Sequence, residues 1–259
     1  LAMCGAVMQG LTRNPLADPY LLGVSSGAGL GAVGVLVLGA TILLPVAAFG
    51  GALLALAGTL TLAGASGRFT PARTVLAGLA VAQACAAATS FVIFWSATGD
   101  SYREILSWLL GSVAGADWGT VAISAGALAV GGPALLGASR TLDAFTFGDV
   151  AASALGVDVR RARRGLFVIV ALLTGALVSV SGAIGFVGLV VPHAARLVVG
   201  SRHHRVLAVS APAGAILLLW ADTAARTVFE PRELPVGILT AALGAPVFAL
   251  LLRRGRVTG

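Results

Sequence analysis

Lysine is absent from this chain of 259 residues. Without it there is no Walker A lysine, hence no standard P-loop ATPase, and no Schiff-base lysine. Charge of either sign is scarce: 10% of residues are charged, against about 25% in a soluble domain. Hydrophobic residues make up 58%, so too few polar groups remain to coat a water-soluble globule. Cysteine is down to two residues, Cys4 and Cys85, both in apolar segments without metal-ligand spacing, and both read as small packing residues. No carboxylate pair, nucleophile–base set or His/Cys cluster occurs. There is accordingly no catalytic residue, metal site or cofactor to assign, and His193, His203 and His204 read as solvated or headgroup-facing imidazoles. No acid falls near the middle of an apolar run, whereas an ion-coupled carrier usually needs an intramembrane ionisable group. That counts against a secondary transporter, which stays as the alternative of another class. "GLGAVG", Gly29 to Gly34, has the letters of a dinucleotide fingerprint but sits in an apolar run without strand–turn–helix context.

What the chain does have is a succession of apolar runs of about 20 residues, the length that crosses a bilayer core as a helix. They lack the alternation of a membrane β-barrel. The expectation is an all-α, polytopic helical membrane protein. "LAMCGAVMQG" at the start has no basic n-region, so it is no signal peptide and reads as the tail of a span. Further spans are expected at about 22–44, 45–66, 74–98, 118–138, 165–182, 183–200, 205–224 and 234–252. If these alternate, fourteen of the seventeen arginines fall on one side and only Arg103, Arg226 and Arg232 on the other. By the positive-inside rule the Arg-rich side is cytoplasmic. The net charge of +7 is then a matter of topology and calls for no nucleic acid.

Glycines mark close helix approaches. Gly23, Gly27 and Gly31 repeat every four residues and share a face, while Gly182, Gly185 and Gly188 repeat every three. Near the start, "QGLTRNPLADPYLLG" interrupts the apolar pattern with a polar, proline-bracketed island. Pro15 and Pro19 keep it from continuing as helix. It is either a short loop anchored by Arg13 or the lining of a path. The longest stretch that cannot span is about 140–164, where Gly148 and Gly156 divide the chain into short helices and Arg160, Arg161, Arg163 and Arg164 close it at the membrane. Its exposed apolar residues beside fixed charges suit a docking surface for a cytoplasmic partner. The alternative is a loop lying on membrane lipid with its arginines on anionic headgroups.

Four stretches, "GAVMQGLTRNPLADPYLLGVSSGAGLG", "FGDVAASALGV", "GAIGFVGLVVPHAARLVVGSRHHRVL" and "ELPVGILTAALGAPVFALLL", resemble the FecCD family of bacterial ABC-importer permeases, collinearly from residue 1 to about 254. These permeases carry ferric siderophores, haem or cobalamin. The resemblance implies a single transmembrane permease domain over 1–259, built on a ten-helix fold of which the first helix and most of the second would lie upstream of residue 1. It implies a bacterial inner-membrane location and a permease dimer, homo- or heteromeric, with two cytoplasmic ATP-binding subunits and an extracytoplasmic solute-binding protein. The implied activity is translocation of an iron(III)-siderophore complex, with haem or cobalamin as the alternative cargo, driven by ATP hydrolysis in a separate subunit. The chain itself would be no enzyme. Residue by residue, Gly148, Asp149, Leu155 and Gly156 match the family's coupling motif, which docks on the ATPase. Arg226, in "ADTAAR", matches an arginine that pairs with a glutamate of the binding protein, although a bridge to Glu230 or Glu233 would also occupy it. Asn14 and Leu16 match residues that narrow the cytoplasmic end of the path in the cobalamin importer. The second gate position there bears a hydroxyl. Here it is Pro71 and Ala72, with Thr70 adjacent, a departure that tells against cobalamin.

Overall fold

In a computed structural model of the chain, residues 1–40, 43–65, 70–96, 99–228 and 233–253 are described, the side chains of residues 100 and 250–253 excepted. Among them every regular element is helical. The helices are α1 (Ala2–Thr12), α2 (Val24–Val37), α3 (Leu44–Gly64), α4 (Pro71–Ser96), α5 (Gly99–Leu110), α6 (Trp118–Gly137), α7 (Ser139–Thr146), α8 (Asp149–Ala154), α9 (Val159–Ser181), α10 (Val187–Val199), α11 (His203–Thr227) and α12 (Val236–Arg253), with a 3-10 turn at Pro19–Leu22. Five helices, α3, α4, α6, α9 and α11, are long and apolar enough to cross a membrane. Three shorter apolar stretches, Val24–Val37, Val187–Val199 and Val236–Ala249, fall in the other expected spans. The 14 residues of α2 rise only about 21 Å, and the 3-10 turn before it carries the chain further. Irregular backbone at membrane depth is tolerated where it is buried in protein, and Pro19, Leu22 and Gly23 are buried.

Local chemistry sets the boundaries. Pro45 stands in the first turn of α3, where its missing N–H costs nothing. Asp117 caps α6: its carboxylate accepts the Thr120 N–H at 2.7 Å, and the Thr120 hydroxyl accepts the Asp117 N–H at 2.9 Å. The bond from the Thr120 N–H and, next, the Thr120 hydroxyl hold the Asp117 carboxyl below the usual range. The break expected near 182–185 is present, since α9 ends at Ser181 and α10 begins at Val187. Gly182 adopts φ +66° there. Gly182 and Gly185 therefore lie between helices, and the three-residue repeat with Gly188 is not a helix face. α5 is an element the apolar-run reading passed over. It is an amphipathic helix whose Ile105 is buried with Val33 and Leu36 of α2.

Contacts divide the chain into two compact units, Leu1–Asp18, Leu128–Val170 and Gly185–Gly259 in one, Pro19–Ala127 and Ala171–Ile184 in the other. In the second, α2, α3 and α4 pack on one another and α5 on α2. The α2–α3 contact is backbone to backbone. A methyl group on Gly27 would meet the Gly51 carbonyl oxygen and stand 2.5 Å from the Ala55 Cβ, and one on Gly31 would overlap the Ala47 carbonyl oxygen. Gly27 and Gly31 thus do what their spacing predicts, while Gly23 turns the chain into α2 at φ +76° against Gly78. The Thr59 hydroxyl donates to the Leu22 carbonyl at 2.9 Å. In the first unit, α1 packs on α10 and α11, α7 on both α1 and α11, and α12 on α10 and α11.

Candidate functional site

The first unit brings together the end of α1, the α7–α8 segment and the starts of α9 and α11. α8 is a helix of 6 residues, too short to persist alone, and both of its ends are fixed by glycine. Gly148 enters at φ +96°, ψ 166°, a conformation open essentially to glycine only. At the exit Gly156 has φ +83°. Its N–H donates to the Ser153 carbonyl at 2.9 Å, and the Val157 N–H to the Ala152 carbonyl at 3.0 Å, the paired bonds of a Schellman stop. Asp149 occupies the first turn, where the helix dipole favours an acid. The two glycines expected to divide the 140–164 stretch into short helices do so.

Asp149 is further held by Arg163 from α9, whose Nη1 and Nη2 donate to its two carboxylate oxygens at 3.0 and 2.6 Å. Arg163 is only 3% exposed. Its guanidinium lies 5.2 Å from the centroid of the Phe145 ring, so the cation is paired on its edge and stacked on its face. The Arg163 hydrogen bonds hold the Asp149 carboxyl below the usual carboxylate range, and the charge of Arg13 adds to the effect. The apolar residues around this core point outward: Phe147 is 76%, Val150 86% and Leu155 69% exposed. Leu142 and Phe145 face inward and are fully buried. α7–α8 is therefore a fastened platform with an uncovered apolar outer face.

The stretch after α1 is equally constrained. Arg13 adopts the left-handed conformation, φ 49° and ψ 39°, and the Asn14 N–H donates to the Gln9 carbonyl at 3.2 Å. The Asn14 side-chain oxygen accepts the Leu16 N–H at 2.9 Å, an Asx turn. Asn14 and Leu16 are both exposed, and their positions are set by this turn and by Pro15. Arg13 itself reaches toward α8: a methyl group on Gly148 would stand 3.4 Å from its Nη1. Gln9 is buried, donates to the Gly188 and Leu189 carbonyls at 3.4 and 3.3 Å, and accepts from Arg196 Nη1. His203, 3% exposed, gives both its backbone N–H (3.0 Å) and its ring Nδ1–H (2.7 Å) to Asp143 of α7. It is a buried, partnered imidazole, not the solvated one its sequence position suggested. Arg226 Nε donates to Asp222 one turn earlier at 2.8 Å, a partner other than the two acids expected. Glu230 lies outside the described residues.

The brief apolar–charge pattern flagged the α7–α8 segment, but not the residues that fasten it. Arg163 is one of four arginines in five positions, and only packing distinguishes it. Asp143 and His203 lie 60 residues apart, and Gln9 and Arg196 lie 187 apart, beyond the reach of any local spacing rule. Among the described residues, no three His, Cys, Asp or Glu gather where they could hold a metal ion.

A family model described as the FecCD transport family matches residues 1–254. The chain is 45% identical to the cobalamin import system permease of Halobacterium salinarum, over 98% of this chain and 68% of that one. It is 42% identical to the hemin transport system permease of Yersinia pestis (99% and 78%) and 39% identical to an Fe(3+) dicitrate transport system permease of Escherichia coli (99% and 80%). Among solved structures it matches an ABC transporter assigned to the metal-chelate type, in an inward-facing conformation. The TM-score there is 0.89 at 31% identity, covering 98% of this chain and 81% of that one. An all-helical membrane chain without ATPase chemistry, matched end to end by these relatives, belongs to the FecCD transport family and is a permease of an ABC importer.

Proposed function

We propose that this permease moves an intact ferric chelate of the siderophore type inward across the bacterial inner membrane, with its Arg-rich side in the cytoplasm. On this reading a second permease completes the path. Two ATP-binding subunits dock on α7–α8 through Gly148, Asp149, Leu155 and Gly156, and a solute-binding protein docks at Arg226 on the opposite side. The observation that carries the reading is the α8 platform: Leu155, Val150 and Phe147 stand uncovered above a base fixed by the Asp149–Arg163 pair. Uncovered apolar residues on a rigid mount fit a groove in a partner protein better than they fit a solvated loop. ATP-driven closure of the two partner subunits then acts through differential contact with two conformations of the permease. Asn14 and Leu16, at the end of α1, narrow the inner mouth of the path.

The iron-chelate cargo is supported by two of the relatives, named for hemin and for Fe(3+) dicitrate, and by the solved metal-chelate type transporter. A cargo whose iron stays wrapped in its own chelator asks no metal ligands of the permease. Cobalamin is a second reading, favoured by the archaeal relative at 45% identity. The test is uptake of radiolabelled ferric siderophore, haem and cobalamin by proteoliposomes holding the permease, its ATPase and the binding protein. Siderophore uptake that requires internal ATP and survives an uncoupler supports the proposal, whereas uptake of cobalamin alone transfers it to the second reading. Arg226→Glu should abolish stimulation of ATP hydrolysis by the binding protein, and unchanged stimulation removes Arg226 from that role.

A further inference from the structure

The Asp143–His203 pair has the geometry of a strut. α11 begins at His203, and its N-cap residue, Arg202, makes no side-chain capping bond. Asp143, from α7, supplies that cap instead, and the same carboxylate oxygen accepts the His203 ring Nδ1–H. A bond pair of this kind, charge-assisted and centred on one acceptor, fixes orientation as well as distance. The other face of the ring is set against α1. A methyl group on Gly10 would stand 2.7 Å from His203 Nε2, so the glycine leaves the space the ring occupies. One imidazole therefore touches α7, α11 and α1 together. Within four residues of Gly10 the chain passes through the left-handed Arg13 to Asn14. Two further groups stand near the pair: Gly10 of α1, and Arg196 of α10, whose charge acts on His203 and whose hydrogen bond to Gln9 secures the preceding residue of α1.

We infer that Asp143 and His203 are positioning residues for transport. They lock the docking segment to the first turn of α11 and the last turns of α1, so that displacement of α7 is delivered to the Asn14–Leu16 stretch rather than dissipated in the loop. The inference rests on the docking reading of α7–α8. Asp143 is separate from the docking residues: it lies on α7, its carboxylate turned to His203, whereas the outward apolar face belongs to Phe147, Val150 and Leu155.

The experiment uses the whole transporter in proteoliposomes and reads three quantities: co-purification of the ATPase, ATP hydrolysis, and cargo moved per ATP hydrolysed. Asp143→Ala is expected to keep the ATPase bound and hydrolysing within about twofold, while cargo per ATP falls about tenfold. Asp143→Glu, which keeps the carboxylate, is expected to recover more than half of the wild-type ratio. Should Asp143→Ala fail to accumulate, Asp143→Asn decides. It keeps an oxygen for the backbone cap and loses the charge, and an intact complex with cargo per ATP reduced severalfold supports the strut. A wild-type ratio in an intact Asp143→Asn or Asp143→Ala transporter overturns it, as does a loss that Asp143→Glu leaves unrepaired. Leu155→Asp separates this from the docking reading: if the ATPase still binds and transport persists in Leu155→Asp, the docking reading has failed, whatever the strut does.

Discussion

The contacts between spans and the contacts that fasten the α7–α8 segment are of different kinds. Between apolar helices the contacts are glycine on backbone: Gly27 on Gly51 and Gly31 on Ala47 in one unit, Gly5 of α1 on Gly188 of α10 in the other. Where α7 and α8 meet α11 and α9 they are charge-assisted hydrogen bonds, His203 to Asp143 and Arg163 to Asp149. Lipid tails are as apolar as leucine, so no hydrophobic force gathers helices within a membrane, and close backbone approach over many small contacts has to serve. At the ends of the spans, polar groups are already near water and a directional bond is inexpensive. The first kind of contact holds helices over a broad area, whereas the second fixes individual points. On the proposed docking reading, a segment that receives a push from another protein is better held at points, because the push then arrives at known residues.

This contrast can be broken from either side. The largest effect is expected at Gly31. Gly31→Leu drives a side chain into the Ala47 backbone, where no rotamer change relieves it, and should cost on the order of 3 kcal/mol or more. Thermal unfolding in detergent would register this, and a wild-type melting temperature would show that α2 and α3 can part without penalty. Next comes Asp149→Ala, which strands the buried Arg163. Breaking a buried pair costs several kcal/mol, but Asp149 is half-exposed, and water on that side reduces the expected loss to about 1–2 kcal/mol. The double variant Asp149→Ala/Arg163→Met should regain part of it. The pH dependence has a defined sign. Because the Asp149 carboxyl is held below its ordinary value, its contribution is fully present above the unfolded pKa of about 3.9 and is lost as pH falls through the lower, folded value. Stability measured downward from pH 5 should therefore fall less steeply in Asp149→Ala than in the parent.

A smaller effect, about 1 kcal/mol, is expected for Gly156→Ala. No neighbouring atom crowds this position, so the cost is the left-handed backbone alone, and Gly156→Asn should recover much of it. The smallest is Asp117→Ala. The cap is solvent-exposed, and the expected outcome is faster amide exchange at Thr120 without a resolvable change in melting.

Composition and apolar length were enough for the helical membrane class and for most helix boundaries, because burying backbone in lipid leaves few alternatives. Gly148 and Gly156 announced α8 because the backbone there demands glycine. α5 was missed because its apolar positions, among them Ile105 and Trp108, are interleaved with Arg103 and Glu104. A search for unbroken apolar runs discards such a segment, whereas a 3.6-residue periodicity search would retain it. Arg163 and His203 were legible as residues but not as roles. Each looked like its neighbours in a basic cluster, and only the fold buries one of four arginines and one of two adjacent histidines.

The glycine pair that bounds α8 has an evolutionary corollary. Gly148 and Gly156 make the intervening turn complete in itself, joined to the rest of the chain mainly through Asp149 and the small buried face at Ala152. Such a stretch behaves as a cassette. On the proposed docking reading, residues 148–156 could be exchanged between related permeases as long as an acid is kept at Asp149 for Arg163 of α9, and a transporter could change the engine it answers to while keeping the path through which its cargo moves.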